Sequence, residues 1–147
     1  MTGKKMKHQD IASLHRYFLW STAMKRDFES ALAGQSYQQD PLTQQGFILH
    51  QDVGMYMSYW YGALYVVCDG WQRLGLSDPH IDQLLNSPNL KLLRRYRNGS
   101  FHYQKTYFDA RFHEFMSEGS SVQWIRNLSN AFGKWFLTYF KNNKLIV

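Results

Sequence analysis

The 147-residue chain has one cysteine, three prolines and three glutamates, and it has no long apolar run. A lone Cys68 excludes an intrachain disulfide and a multi-cysteine zinc site, and it fits a reducing, cytoplasmic compartment. With no basic motif beside it in sequence, Cys68 reads as a small buried residue and not as a nucleophile. The glutamates are Glu29, Glu114 and Glu118, and the sequence contains neither a Glu-x-x-His nor a His-x-x-x-His pair. A di-iron carboxylate bundle and a helix-borne metal site are therefore not expected, and no metal or other cofactor is assigned. The most apolar stretch, Tyr59 to Cys68, is about half the roughly 20 residues that a bilayer-spanning helix needs, so a soluble chain with no membrane partner is expected.

What the chain does have is aromatic side chains: five Trp, ten Tyr and ten Phe, 17% of all residues. That content argues for a packed interior and against disorder. The length suits a single domain over residues 1–147. Lys and Arg outnumber Asp and Glu by 17 to 11, a formal net charge of +6. Three of those lysines lie in the opening MTGKKMK, and residues 1–9 are expected to be a flexible basic tail. The rest of the excess favours acidic partners such as nucleic acid without identifying one.

The apolar pattern is helical throughout. From Asp10 to Leu32, the residues Ile11, Leu14, Phe18 and Leu19 recur at helical spacing, with Trp20, Met24 and Phe28 widening the stripe. The polar segment from Gly34 to Gly46 has the composition of a loop. A second helix from Asp52 to about Leu74 is apolar almost all round. It carries Met55, Tyr59, Ala63, Val66, Val67 and Trp71 on one broad face, and Tyr56, Trp60 and Leu64 beside it. Such a helix is central or lies in an interface, and Gly54, Gly62 and Gly70 permit close packing. Ser77-Asp78-Pro79 and Ser87-Pro88 mark two further helix starts. The second of these helices should reach Asn98 and stop at Gly99 in the left-handed position beyond its end. Tyr107 to Met116 reads as short and irregular, and Glu118 to Ser121 as a break. Ile125, Leu128, Phe132, Trp135 and Tyr139 then give the most regular helix. The expected fold class is all-α, a compact bundle of about four long helices with shorter ones.

One segment carries candidate chemistry. Within Leu92 to Gln104, Arg97-Asn98-Gly99-Ser100-Phe101-His102 sets an arginine, a polar neighbour and a histidine with four residues between arginine and histidine. This pattern resembles the signature of the HEPN superfamily. The resemblance implies a small helical bundle, commonly dimeric, and in many members a metal-independent ribonuclease whose arginine and histidine meet near a subunit interface. It marks Arg97, Asn98 and His102 as catalytic candidates.

The residue types suit RNA cleavage. A histidine can move a proton to or from the ribose 2′-hydroxyl or the leaving oxygen, while a guanidinium binds the phosphate as its charge builds. Lys91, Arg94, Arg95, Lys105 and Arg111 are the candidate RNA-binding residues around it. On one straight helix Arg97 and His102 would point about 140° apart. Either the chain turns near Gly99, or a partner subunit completes the site.

Plainer roles are open for the same residues. Arg94, Arg95 and Arg97 suit the last turn of a helix, where cations meet free carbonyls, and His102 suits a buried histidine after a helix cap. The aromatic residues Tyr56, Tyr59, Trp60, Tyr103, Tyr107 and Phe108 could stack on bases, but helical spacing favours a core role. The functional expectation is a homodimeric RNA-cleaving or RNA-binding protein, in a toxin or defence system with an antitoxin-like partner. The alternative is a non-catalytic interaction module or assembly subunit.

Overall fold

A computed structural model describes residues 2–34, 52–106 and 109–144, with side chains from Lys7 onward. The loop expected from Gly34 to Gly46 lies outside this range apart from its first residue, as do Tyr107 and Phe108. The described residues form six helices and no strand: α1 Thr2–Gly34, α2 Asp52–Arg73, α3 Pro79–Leu85, α4 Asn89–Phe101, α5 Ala110–Ser117 and α6 Ser121–Asn142. The protein is all-α, as its apolar periodicity predicts. None of these helices is long and apolar enough to cross a membrane.

Helix α2 organises the packing. Both α1 and α4 pack on it, α5 packs on α4, and α6 packs on α1, α3 and α5. Trp60, Tyr61, Leu64, Val67, Cys68 and Trp71 of α2 are buried. Tyr61, Tyr96 and Phe115 meet edge-to-face, with centroids 5.2 Å (Tyr61–Tyr96), 5.2 Å (Tyr61–Phe115) and 5.9 Å (Tyr96–Phe115) apart. This is the separation at which ring quadrupoles attract. Several buried polar tips are satisfied. Trp71 Nε1 donates to Asp82 Oδ1 at 3.0 Å, Trp124 Nε1 donates to the Leu84 carbonyl at 2.9 Å, and the Tyr96 hydroxyl lies 3.3 Å from Ser58 Oγ. Burial pushes the Cys68 thiol well above its ordinary range, so it is inert where it sits.

Two of the helix starts form as their caps dictate. Asp78 accepts from the backbone N–H of His80 and Ile81, both at 3.0 Å, and Ser87 Oγ accepts from Asn89 N–H at 3.2 Å.

The structure also corrects four readings. The first helix begins at Thr2 and not at Asp10, so the segment read as a basic tail is its opening turns, and His8 hydrogen-bonds Tyr139 of α6. The stretch read as irregular contains α5, which Asp109 starts by accepting from Arg111 N–H at 2.9 Å. Leu19, Trp20, Met55 and Tyr59, read as members of apolar stripes, are exposed.

Finally, α4 does not stop at Gly99 but runs to Phe101. Gly99 is needed for its size and not for backbone freedom. It is buried, and a Cβ there would lie 3.1 Å from Arg111 Cβ and 3.4 Å from the Phe112 ring, so its absence lets α5 approach α4. Gly62 and Gly70 work the same way on α2: a Cβ at Gly62 would run into the Phe101 ring, and one at Gly70 would lie 2.5 Å from Leu14.

Two outcomes follow for stability. Alanine normally raises the stability of a helix interior by about 0.5–1 kcal/mol over glycine. Gly133→Ala should show that gain, since its Cβ meets Phe18 at an ordinary 3.5 Å. Gly70→Ala should instead destabilise by about 1–2 kcal/mol, because its Cβ would press on the buried Leu14 side chain and overpacking outweighs propensity; urea denaturation of both variants measures the contrast.

His15 is buried among Phe18, Phe136 and Phe140, and burial lowers its pKa. The unfolded chain therefore takes up a proton below about pH 6.5 that the folded chain refuses. Stability is fully present above that pH and should fall as pH drops from there through the depressed folded value. Urea midpoints at pH 7.5 and 5.5 should differ less in His15→Phe than in wild type.

Candidate functional site

The motif straddles the end of α4. Helix α4 places Arg97 and Asn98 in its last turns, and His102 is the first residue beyond it, with φ −125° and ψ 134°. That extended backbone is where the chain turns, three residues later than Gly99. Asn98 links the two ends of the motif. Its side-chain Oδ1 accepts from Arg97 Nη2 at 2.9 Å, and its backbone carbonyl accepts from His102 N–H at 3.2 Å. The Arg97 guanidinium also lies over the Tyr65 ring, 4.7 Å from its centroid, which adds a cation–π attraction.

Residues beyond the helix hold the His102 backbone. Gln104 Nε2 donates to the His102 carbonyl at 2.8 Å, Gln104 Oε1 accepts from Arg111 Nη1 at 2.6 Å, and Arg111 pairs with Asp109 at 3.5 Å. The turn after α4 is thus tied to the start of α5 by a polar chain of four residues. The His102 side chain itself is exposed.

Arg97, Asn98 and His102 all line one open groove of about 530 Å³. Its other walls are Tyr17 and Trp20 from α1, Tyr59, Gly62, Ala63 and Val66 from α2, and Phe101 from α4. Tyr59, Ala63 and Val66 follow steps of four and three, so they form the stripe of α2 left uncovered by its neighbours. Phe101 stands edge-on to Tyr59 with centroids 5.4 Å apart, and Tyr17 edge-on to Trp20 at 5.3 Å. The Arg16 guanidinium lies 5.3 Å from the Tyr17 ring and 5.5 Å from the Trp20 ring. Among the described residues, no carboxylate lines the groove.

The other sequence candidates sit elsewhere. Arg95 is ion-paired to Glu114, with Nε to Oε2 at 2.7 Å and Nη2 to Oε1 at 3.4 Å, and joins α4 to α5. Arg111 belongs to the chain that holds His102. Lys91, Arg94 and Lys105 are exposed and do not line the groove. Of the aromatic residues considered for stacking, Trp60 is buried, Tyr56 is half-buried, and Tyr59 and Tyr103 are exposed.

Sequence reasoning missed Arg16, Tyr17, Trp20 and Tyr65. The available signal was Trp20 four residues after a cation, Arg16, and three after an aromatic, Tyr17, the two spacings at which side chains on a helix meet. Among the described residues, no three of His, Cys, Asp and Glu converge as metal ligands would. Comparison with known protein families, with curated proteins and with solved structures finds no match for this chain.

Proposed function

We propose that this protein is a HEPN-like, metal-independent endoribonuclease whose centre is Arg97, Asn98 and His102. The observation that carries the reading is that the three residues line one open groove, with the Asn98 side chain hydrogen-bonded to Arg97 and its backbone carbonyl to His102 N–H.

The chemistry follows from the residue types. The ribose 2′-oxygen attacks the adjacent phosphorus, the bond from phosphorus to the 5′-oxygen breaks, and a 2′,3′-cyclic phosphate remains. The 2′-hydroxyl proton must leave and the 5′-oxygen must gain one, transfers suited to imidazole near neutral pH. The guanidinium of Arg97 stabilises the charge that gathers on the phosphoryl oxygens. Asn98 holds that guanidinium in place.

One imidazole cannot accept and donate at the same instant unless water assists, so a homodimer that sets two copies of His102 at one phosphate would supply base and acid together. Exposed Lys91, Arg94 and Lys105 add long-range attraction for the RNA backbone. A cytoplasmic toxin or defence role with an antitoxin-like partner suits an enzyme that cuts RNA and needs restraint.

A second reading, a non-catalytic interaction module, is favoured by one observation: Trp20, Tyr59 and Phe101 are each about half exposed, at 55%, 52% and 49%, and adjacent exposed aromatics often mark interfaces.

The two readings separate by mutation. His102→Ala should cut the cleavage rate by about 10² to 10⁴ while leaving RNA affinity nearly intact. Arg97→Ala should damage both cleavage and affinity. Wild type should remain active in EDTA, leave a cyclic phosphate and spare DNA of the same sequence. Wild-type cleavage by His102→Ala, or a requirement for Mg²⁺, would overturn the assignment. Light scattering should report about twice the 17.5 kDa chain mass; a clean monomer at micromolar concentration would remove the composite site.

A further inference from the structure

We infer that the groove beside Arg97 and His102 is a stacking platform for the unpaired bases of a single-stranded nucleic acid, with Trp20 and Tyr59 as its principal faces. This deepens the ribonuclease reading and rests on it only for where the scissile phosphate lies.

The first argument is composition. Tyr17, Trp20, Tyr59 and Phe101 line the groove, and three of them are about half exposed. Aliphatic side chains would suffice to seat an apolar helix, whereas a row of rings offers flat faces to other flat groups.

The second is charge. Arg97 lines the groove, and Arg16 lies against the two rings of its α1 wall. Both guanidinium groups lie against aromatic faces, which limits their freedom before any ligand arrives. Planar apolar walls with cations beside them and no lining carboxylate among the described residues match a ligand that is aromatic and anionic at once, as a nucleotide strand is. A basic protein segment would be repelled by the arginines, and a neutral one would leave their charge without a counterpart.

The third is access. A duplex keeps its bases stacked on one another, so only an unpaired strand can present them to protein rings. The groove, about 530 Å³, has Arg97, Asn98 and His102 in the same lining as its aromatic residues. A strand whose bases stack there would have its phosphates within the same groove as Arg97 and His102, and cleavage would be confined to single strands.

Stacking does not use the 2′-hydroxyl, so a single-stranded DNA oligomer should bind the groove without being cut. That makes it a probe independent of catalysis. Trp60, Trp71 and Trp124 are buried and Trp135 is half-buried, so collisional quenching of tryptophan fluorescence reports chiefly on Trp20.

An octamer of thymidine should quench that signal in the wild-type protein and protect it from iodide, and an abasic octamer of equal charge should do neither. Trp20→Ala and Tyr59→Ala should each raise Kd for the thymidine octamer, read from the anisotropy of an end-labelled oligomer, by about 5- to 150-fold. The slope of log affinity against log salt should not change in these variants. Arg16→Ala should flatten that slope by about 0.7, the value for one phosphate contact on a single strand. Trp20→Phe should recover most of the affinity lost in Trp20→Ala.

Equal affinity for the abasic octamer, or unchanged Kd in both alanine variants, would overturn the platform while leaving cleavage at His102 to be judged separately. A fall in light-scattering mass in Trp20→Ala or Tyr59→Ala, with oligomer affinity unchanged, would assign the groove to a second copy of the chain and also overturn it. Quenching as expected in a protein that cuts no RNA would uphold the platform and defeat the ribonuclease.

Discussion

The contact between the Phe101 ring and the backbone of Gly62 sets where the last turn of α4 can lie. A side chain at position 62 would occupy the space the ring now fills. Because Phe101 directly precedes His102, that contact lets the end of α4 lie close over α2 just where the chain turns. Gly99 makes the corresponding allowance on the α5 side, admitting Arg111 and Phe112 close to the helix. Between them, two missing side chains let α4 lie close to two neighbours, α2 on the groove side and α5 on the other.

The basic side chains divide by what holds them. Arg95 and Arg111 are engaged with Glu114, Asp109 and Gln104, and they join α4 and the turn beyond it to α5. Partly exposed pairs of this kind contribute little to stability singly, but they fix orientation where the backbone must turn. Arg16 and Arg97 lie instead against aromatic rings. A guanidinium against a ring face keeps its in-plane N–H donors for an anion, apart from the one that Arg97 gives to Asn98, whereas in Arg95 a carboxylate already occupies one edge and offsets the charge. The net charge of the sequence does not separate these two groups, although their chemical availability differs.

How much was legible in the sequence depended on whether a signal was local. The helical spacing of Ile125 to Tyr139 and the caps at Asp78 and Ser87 are local, and α6, α3 and α4 form where they indicate. The spacing of Arg97 and His102 was legible, but the turn at His102 that leaves both lining one groove was not. Gly99 was misread because a glycine near a helix end has two uses, left-handed backbone and close packing, and only the position of α5 decides between them. Leu19, Trp20, Met55 and Tyr59 were misread because periodicity identifies an apolar face without saying whether another element covers it. The α2 stripe of Tyr59, Ala63 and Val66 has the same spacing as the buried one and a different fate. The Arg16 cluster needed no tertiary knowledge, only a reading of cations and aromatics together.

The plainer roles open to Arg97 and His102 each require a specific arrangement. A helix-terminal arginine acting on the dipole would reach free carbonyls of the last turn, but the Arg97 guanidinium meets the Asn98 side chain and the Tyr65 ring. A satisfied core histidine would be buried, but His102 is exposed and its held group is the backbone carbonyl. Anchoring the backbone of an exposed histidine through Gln104, Arg111 and Asp109 restricts where the imidazole can reach while leaving the ring in contact with solvent. A side chain needed only to terminate a helix requires no such anchoring, since the bond from His102 N–H to the Asn98 carbonyl already closes the last turn. The polar chain instead ties the turn beyond α4 to the start of α5, so the backbone at His102, and with it the part of the groove wall that this residue supplies, is fixed by α5 and not by α4 alone.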